Sequence, residues 1–111
     1  MSRKRGPGNR SNVGEDEIVE LAEMFRLMSD PTRLRIILAC LNEPVAVGDM
    51  ASSLGLSASL VSHHLRLLRA ARLLQADRQG RQVFYVVGDD HIRSMLTDMV
   101  DHVAEGGAEA E

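Results

Sequence analysis

The segment from Val47 to Val87 constrains the fold most, because the spacing of its apolar residues changes once along its length. On both sides of Gly55 the apolar residues recur as they do in helices, whereas further along they alternate as they do in strands. Two helices joined by a short turn that contains Gly form a helix-turn-helix, and a β-hairpin that follows one is a wing. The expected elements are a helix over 47–54, a helix that Ser57 or Ser59 caps and that ends near Ala71, and strands 73–76 and 83–87 with Gly80 at the tip of the turn.

Helical periodicity surrounds this segment, so the sequence predicts a mainly α fold with a β-hairpin wing. A first helix is expected over 15–28, and Ser29 or Asp30 caps a second, in which Pro31 suits the first turn because its missing N–H costs nothing there. A last helix begins at Asp89 or Asp90 and ends near Ala104. The predicted organisation is a disordered basic tail at 1–14, a winged helix-turn-helix DNA-binding and dimerisation domain at 15–105, and a frayed C-terminus at 106–111.

The core of this domain must rest on aliphatic residues and methionine, because the 111 residues include no Trp, one Tyr and two Phe. Such a core is thin for a small monomer, so we expect a second copy of the chain to bury more surface in a homodimer. No run reaches the ~18–20 apolar residues that cross a bilayer, and no apolar stretch of a signal peptide follows the basic start. Cys40, the single cysteine, lies in an apolar run, which favours a buried thiol. We therefore expect a cytoplasmic protein with no membrane partner.

The distribution of charge points to nucleic acid, although the net charge of −3 does not. Five arginines and one acid, Asp77, lie between Ser57 and Tyr85, while the segments on either side of this basic region are acidic. A basic region within an acidic chain is a local electrostatic footprint for a polyanion such as DNA.

The helix that begins near Ser57 is the candidate for insertion into the major groove, because its apolar stripe leaves a polar face free. Short hydroxyls near a helix start suit phosphate and base-edge contacts, and arginines pair with phosphates. The alternative is a solvated helix face, although the arginines at the hairpin tip weigh against it. His63 and His64 point about 100° apart, so DNA contact or exposure is favoured over a shared metal. The predicted DNA-contacting residues are Ser57, Ser59, Ser62, His63, Arg66 and Arg69 of the helix, and Arg78, Gln79 and Arg81 of the wing.

Asp89, His91, His102 and Glu105 place a carboxylate and an imidazole at each end of the last helix. His91 and His102 are close to three helical turns apart, so they share a face but are separated by roughly 16 Å, too far to bind one ion. An antiparallel copy of the helix across a two-fold axis would bring the two halves together, giving two sites per dimer with two nitrogens and two oxygens each. Such a set suits tetrahedral Zn²⁺, and Co²⁺ could substitute. The alternative is that these side chains are solvated helix ends.

The chain resembles the ArsR/SmtB family of small winged-helix, metal-sensing repressors. The matching stretches are "LMSDPTRLRIILACL", "SASLVSHHLRLLRAARLL", "RQGRQVFYVV" and "DDHIRSMLTDMVDHVAE", and with the segments between them they cover about residues 17–105. The last stretch is similar to the zinc-responsive subgroup, whose ligands lie on the C-terminal helix. The resemblance also implies a hydrogen bond from a metal-bound His102 to the main chain near Arg72.

Other branches of the family are matched less well. The region "EPVAVGDM" lacks the Cys-x-Cys pair that senses arsenite, cadmium or lead, and thiol switches need two cysteines. Nickel sensors recruit further ligands, whereas no His or acid precedes Glu15, so Ni²⁺ is less favoured than Zn²⁺.

These observations predict a homodimeric, metal-responsive repressor whose metal-free dimer binds double-stranded operator DNA and releases it when Zn²⁺ binds. A winged-helix DNA-binding regulator with a non-metal effector is the alternative. A metal-dependent hydrolase is disfavoured, because a catalytic zinc usually keeps an open position beside a base, and the sequence has no nucleophile motif or phosphate loop.

Overall fold

The computed structural model describes residues 12–109, so most of the predicted tail at 1–14 and the end of the predicted frayed segment at 106–111 lie outside the described residues. The architecture is a mainly helical winged helix-turn-helix, as the sequence predicts. In chain order the elements are α1 (Glu15–Met28), α2 (Pro31–Ala39), β1 (Val45–Ala46), α3 (Val47–Leu54), α4 (Ala58–Ala70), β2 (Gln75–Gln79), β3 (Gln82–Val86) and α5 (Asp90–Glu109).

The wing is a three-stranded antiparallel sheet with strand order β1-β3-β2, rather than the two-stranded hairpin expected from the sequence. β1 was missed because it has two residues, Val45 and Ala46, which pair with Tyr85 and Phe84. The hairpin closes between Gln79 and Gln82, and Gly80, with φ +65°, takes the left-handed conformation at the first of its two central positions. A type II′ hairpin turn favours Gly at its first central position.

The first predicted strand is displaced, and the reason is burial. Leu73 and Leu74 were expected in a strand, but they lie in the turn after α4 and are almost completely buried. The strand that follows, β2, reads QADRQ and is mostly exposed. Apolar character at residues 73–74 therefore reflects packing under the helices, whereas β2 is held by its ladder with β3.

Capping fixes the helix-turn-helix as the sequence suggests. Gly55 ends α3 with φ +68°, a left-handed conformation that Gly adopts without penalty. Ser57 caps α4, because its Oγ accepts the Leu60 N–H at 3.1 Å. Val61, Leu65 and Leu68 form the buried stripe of α4. Leu60 and Leu67 are 41% and 38% exposed because they lie on the flank of this stripe.

The core lies where α2, α3, α4 and the wing meet. Cys40 is completely buried there, and burial raises the pKa of its thiol to about 12. Its Sγ–H donates to the Ile36 carbonyl at 3.4 Å, so it acts as a small core residue, as expected. The largest fully buried side chains are Ile36, Ile37, Met50, Val61, Leu65, Leu68, Leu73 and Val87.

Two helices extend away from this core. Of the α5 side chains that the structure describes, Leu96 is the one that is buried, and α1 buries only Leu27 and Met28 at its end. The Cα radius of gyration is 16.2 Å, against about 13 Å for a compact chain of this length. α5 also continues through Gly106 and Gly107 to Glu109, beyond the end expected near Ala104. No helix within residues 12–109 is long and apolar enough to cross a membrane.

Candidate DNA-binding and metal-binding sites

The free face of α4 carries the side chains predicted to read DNA. Successive helical residues are about 100° apart, so Ser59, His63 and Arg66 project opposite the buried stripe, and all three are exposed. Ser62, half-buried, and Arg69, exposed, lie on one flank of that face. Ser57 lies at the helix start, where its oxygen already caps α4 while its hydroxyl proton stays available to donate. The buried stripe therefore aims a compact polar surface outward.

The wing supplies the second set of predicted contacts. Arg78, Gln79 and Arg81 are exposed around the turn at Gly80. The Gln79 amide donates to Asp77 Oδ2 at 3.1 Å, so part of its hydrogen-bonding capacity is used within the wing. Arg78 makes a long contact of 3.4 Å to the Gly80 carbonyl, a geometry weak enough to be exchanged for a phosphate.

His64 connects the back of α4 to the start of α2. Asp30 caps α2 by accepting the Arg33 N–H at 2.9 Å, and this bond lowers the pKa of the Asp30 carboxyl. The Nδ1 atom of His64 is buried and has no hydrogen-bond partner among the described residues. Burial, then the charge of Arg33 and that of His63, lowers the pKa of His64, while Asp30 opposes this shift. We therefore expect His64 to act as a packing residue between α4 and α2 rather than as a metal ligand.

The N-terminal half of the predicted metal site is assembled within one chain. Asp89 is the N-terminal cap of α5: its Oδ1 accepts the His91 N–H at 2.7 Å and the Ile92 N–H at 3.1 Å. These main-chain bonds, from Ile92 and then His91, lower the pKa of the Asp89 carboxyl. The His91 ring is 98% exposed, and its Nδ1 lies 3.4 Å from Asp89 Oδ1. A carboxylate and an imidazole therefore lie side by side, open to solvent.

The C-terminal half, His102 and Glu105, lies eleven residues further along the same helix and is exposed. At a rise of about 1.5 Å per residue the two halves are roughly 16 Å apart. Within residues 12–109 of a single chain, no three His, Cys, Asp or Glu side chains are grouped so that they could hold a metal ion. One chain thus offers two half-sites, and their completion by a second copy stays a prediction.

An apolar groove of about 530 Å³ runs along α5 between these half-sites. Met99, Val100 and Val103 stand exposed on its α5 side, and Val103 is 69% exposed. The residues that line it are Leu34, Leu38, Leu96, Met99, Val100, Val103 and Ala104. On α1, Ile18, Val19, Leu21 and Phe25 are exposed in the same way. These exposed apolar side chains are candidates for an interaction surface.

Arg93 was missed by the sequence reasoning, which treated it as one more residue of the last helix. Its side chain is 29% exposed, and its guanidinium donates to the Val87 carbonyl, to the Leu41 carbonyl at 3.2 Å, and to the Asp90 carboxylate. The available signal was that Arg93 is the single basic residue in an acidic helix. It joins the start of α5 to the end of β3 and to the segment after α2.

The joint between α4 and β2 has a strained residue. Arg72 has φ +63°, a left-handed conformation that residues with a side chain adopt at a cost. The turn is closed by bonds from Arg72 N–H to the Arg69 carbonyl and from Leu73 N–H to the Leu68 carbonyl, both 2.9 Å. The Arg72 guanidinium pairs with Glu20 of α1 at 2.5 Å on the surface. This joint carries the main chain that the resemblance links to His102.

Known proteins match both the sequence and this architecture. The sequence profile described as "Bacterial regulatory protein, arsR family" matches residues 30–76, which span α2 to the start of β2. A transcriptional repressor SmtB homolog of Synechocystis sp. is 38% identical over 90 residues, which cover 81% of this chain and 68% of that protein. The HTH-type transcriptional regulator CmtR of Mycobacterium bovis is 42% identical over 83 residues, or 75% of this chain and 70% of that one.

Among solved structures, that of the AntR antimony-specific transcriptional repressor superposes with a TM-score of 0.75 at 28% identity, covering 100% of this chain and 99% of the other. The profile match includes the whole helix-turn-helix, and the relatives extend the similarity over most of both chains. The chain therefore belongs to the ArsR family of bacterial regulatory proteins, and it is a DNA-binding transcriptional regulator rather than an enzyme.

Proposed function

We propose that this regulator is a homodimeric repressor that binds double-stranded operator DNA without metal and releases it when Zn²⁺ binds between the two α5 helices. The observation that carries the proposal is the pair of half-sites on α5, with an exposed apolar face between them. In this reading the protein acts in the cytoplasm, where bacterial DNA lies.

The exposed apolar surface supports a homodimer. The groove along α5 and the apolar face of α1 have no cover within the described part of one chain. A second copy related by a two-fold axis would cover one α5 with the other, and such an axis makes every contact reciprocal. Antiparallel packing then brings the Asp89 end of one helix to the His102 end of its partner. Burying several large apolar side chains would contribute on the order of 1.5–3 kcal/mol each.

The donor atoms support Zn²⁺ as the effector. Asp89, His91, His102 and Glu105 would supply two oxygens and two nitrogens, a set that Zn²⁺ binds tetrahedrally and that Co²⁺ can share. Oδ1 of Asp89 is engaged in capping, which leaves its other oxygen for a metal. The similarity to an antimony-specific repressor supports an inorganic effector. Ions that prefer thiolates fit poorly, since Cys40 is buried and its pKa is raised to about 12.

In the metal-free dimer, the two α4 helices would enter successive major grooves, with Ser59, His63 and Arg66 towards the bases and phosphates. Arg78 and Arg81 of each wing would contact the flanking backbone or minor groove. The metal-bound dimer would hold the α4 helices at a spacing that no longer matches the DNA. Linkage requires that DNA weaken zinc binding by the same factor by which zinc weakens DNA binding, typically about 5–150-fold.

The test uses a DNA duplex that the metal-free protein selects from a random library. Its affinity is measured by fluorescence anisotropy without metal and with Zn²⁺, Co²⁺ or Ni²⁺, and zinc affinity is measured by competition with a chromophoric chelator. We expect Zn²⁺ to weaken DNA binding by about 100-fold, and we expect Ni²⁺ to weaken it by a smaller factor.

The variant His102→Gln should bind DNA as the unaltered protein does and should lose release by Zn²⁺. Asp98→Asn, a change on the same helix outside the proposed ligand set, is the matched control and should keep release. Release of the His102→Gln variant by Zn²⁺ would contradict the ligand assignment. Absence of any tight zinc site in the unaltered dimer would favour a non-metal effector instead.

A further inference from the structure

We infer that Arg93 is a positioning residue that couples the α5 metal half-site to the wing, so that metal binding at the site changes the affinity of the DNA-binding surface for DNA. This inference rests on the proposed function, because it concerns how that site communicates. It assigns a role to a residue that is neither a proposed metal ligand nor a proposed DNA contact.

Arg93 lies in the first turn of α5. It lies one helical turn after Asp89, and its N–H donates to the Asp89 carbonyl at 3.0 Å, so the two residues share the first turn of α5. The same turn holds His91 and the capping bonds from Asp89 Oδ1. A shift of this turn on binding an ion therefore moves the base of the Arg93 side chain with it.

The guanidinium of Arg93 forms hydrogen bonds with three different segments of the chain. It donates to the carbonyl of Val87, the residue directly after β3, and to that of Leu41, just after α2. Asp90, at the helix start, pairs with it and orients it. The Val87 N–H is itself bonded to the Cys40 carbonyl at 3.0 Å, and the Val87 side chain is fully buried. One planar cation thus ties α5, β3 and the end of α2 together.

A cleft of about 490 Å³ separates Asp89 from the end of α4, and Arg69, Arg72 and Gln75 line it. The Gln75 side chain lies against Gly88 at this cleft. Through Val87, Arg93 is attached to β3, which pairs with β2 along the whole hairpin as far as Gln79 and Gln82.

Arg78 lies in β2, and Arg81 lies in the turn between β2 and β3. β1 pairs with β3 only at Phe84 and Tyr85, so beyond these residues the wing consists of β2 and β3 alone. A small rotation at the base of this hairpin is amplified at its tip, so a change at Val87 is expected to alter where the wing arginines meet DNA. Coupling between sites requires such a physically connected element, and its strength is a measurable free energy.

The experiment compares the unaltered dimer with Arg93→Met, which keeps the stem and removes the guanidinium, and with Arg93→Lys, which keeps the charge. Arg35→Met is the matched control. Arg35 is an exposed arginine on α2, so this substitution removes the same charge at a different place. For each protein, the library-selected duplex is titrated with and without Zn²⁺, zinc affinity is measured without DNA, and urea denaturation checks the fold. The measured quantity is the ratio of the two DNA dissociation constants.

We expect this ratio to fall at least about tenfold in Arg93→Met, while zinc affinity without DNA and DNA affinity without zinc stay within about threefold. Arg93→Lys should also lose coupling, because one ammonium cannot replace the planar fork that reaches two carbonyls and a carboxylate. Arg35→Met should keep the full ratio. A purely structural role would lower the urea midpoint without changing the ratio.

Two results would overturn the inference. The ratio could stay within about twofold of the unaltered protein in both Arg93 variants, or zinc affinity without DNA could be lost together with the ratio, which would make Arg93 part of the metal site. If the unaltered protein shows no zinc dependence, the proposed function fails and the inference falls with it. If zinc releases DNA from the unaltered protein but the Arg93 variants do not behave as expected, the inference fails and the proposed function is unaffected.

Discussion

The helices α4 and α5 are both amphipathic, but they use the two faces in opposite ways. α4 buries Val61, Leu65 and Leu68 completely and leaves a polar face free. α5 buries Leu96 and leaves Met99, Val100 and Val103 exposed in the part of the helix that follows. A free polar face with hydroxyls and arginines suits a hydrated polyanion, whereas a free apolar face suits another apolar surface. The nature of what remains uncovered therefore indicates the partner of each helix.

The largest expected effect concerns the buried face of α4. Leu65→Ala removes a fully buried side chain and should lower the free energy of unfolding by about 2–5 kcal/mol, because the cavity adds to the lost transfer energy. Urea denaturation measures it. Val103→Ala on α5 is the counterpart, and in dilute protein it should change stability by no more than about 0.5 kcal/mol. An equal loss in both variants at low concentration would remove the contrast between the helices.

The next effect tests whether α5 meets its own copy. His91→Gln and His102→Gln each damage both sites of a dimer made from one variant alone. In a mixed dimer one site carries both changes and the other none, so an equal mixture should recover about a quarter of the tight zinc sites. Zinc titration with a chromophoric chelator, before and after subunit exchange, measures this recovery. A mixture that binds no more zinc than either variant alone would exclude the shared site.

A smaller effect sharpens the description of the polar face of α4. Arg66→Ala should weaken DNA binding about tenfold at low salt and reduce the slope of log affinity against log salt concentration by about 1.8, because the dimer loses one phosphate contact from each subunit. Anisotropy titrations over a range of salt concentrations give both values. Arg26→Ala on α1, where Arg26 pairs with Glu23, is the control for loss of one surface charge. An unchanged slope for the Arg66 variant would remove that residue from the phosphate contacts.

The smallest expected effect is a dependence of stability on pH behind α4. Because burial lowers the pKa of His64, the folded protein favours its neutral form, and this contribution is complete above the unfolded value of about 6.5. It is lost as the pH falls from there through the lowered folded pKa, with Asp30, Arg33 and His63 as the charged or titratable neighbours.

The urea concentration at the midpoint of unfolding should therefore decrease as the pH is lowered from about 7.5 to about 5.5. His64→Gln should flatten this change. The lowered pKa of Asp30 acts only in a more acidic range, below its ordinary value of 3.8, so it does not confuse the test. A midpoint that stays constant in the unaltered protein over this range would contradict the role assigned to His64.

Local sequence determined the helices well, and tertiary contacts determined much of the rest. The bounds of α1 and α3 coincide with those expected, Gly55 lies in the turn as expected, and Ser57 is the one of the two expected residues that caps α4, because periodicity and capping are local properties. β1 and the displaced β2 depend on pairing with β3, which no local signal encodes. The φ of +63° at Arg72 could not be predicted from the sequence either, because that position is not a Gly.

The candidate sites divide in the same way. The polar residues of α4 and the wing could be predicted, because the buried stripe fixes which side of a helix is free. Asp89 and His91 could be placed together from their spacing, but the residues proposed to complete their site would come from a second copy of the chain, which the structure of one chain does not contain. The role of Arg93 could not be read from the sequence, because its acceptors, Val87 and Leu41, are main-chain carbonyls of distant segments.

The separation of the proposed half-sites along α5 would have a consequence for how such a protein behaves in a growing cell. A newly synthesised chain would carry only half of each binding site, so it would not bind a scarce metal ion tightly before it forms a dimer. At low abundance, sensing capacity would then rise with the square of the amount of protein made. Transcript level would thus set the threshold of the response as well as its size.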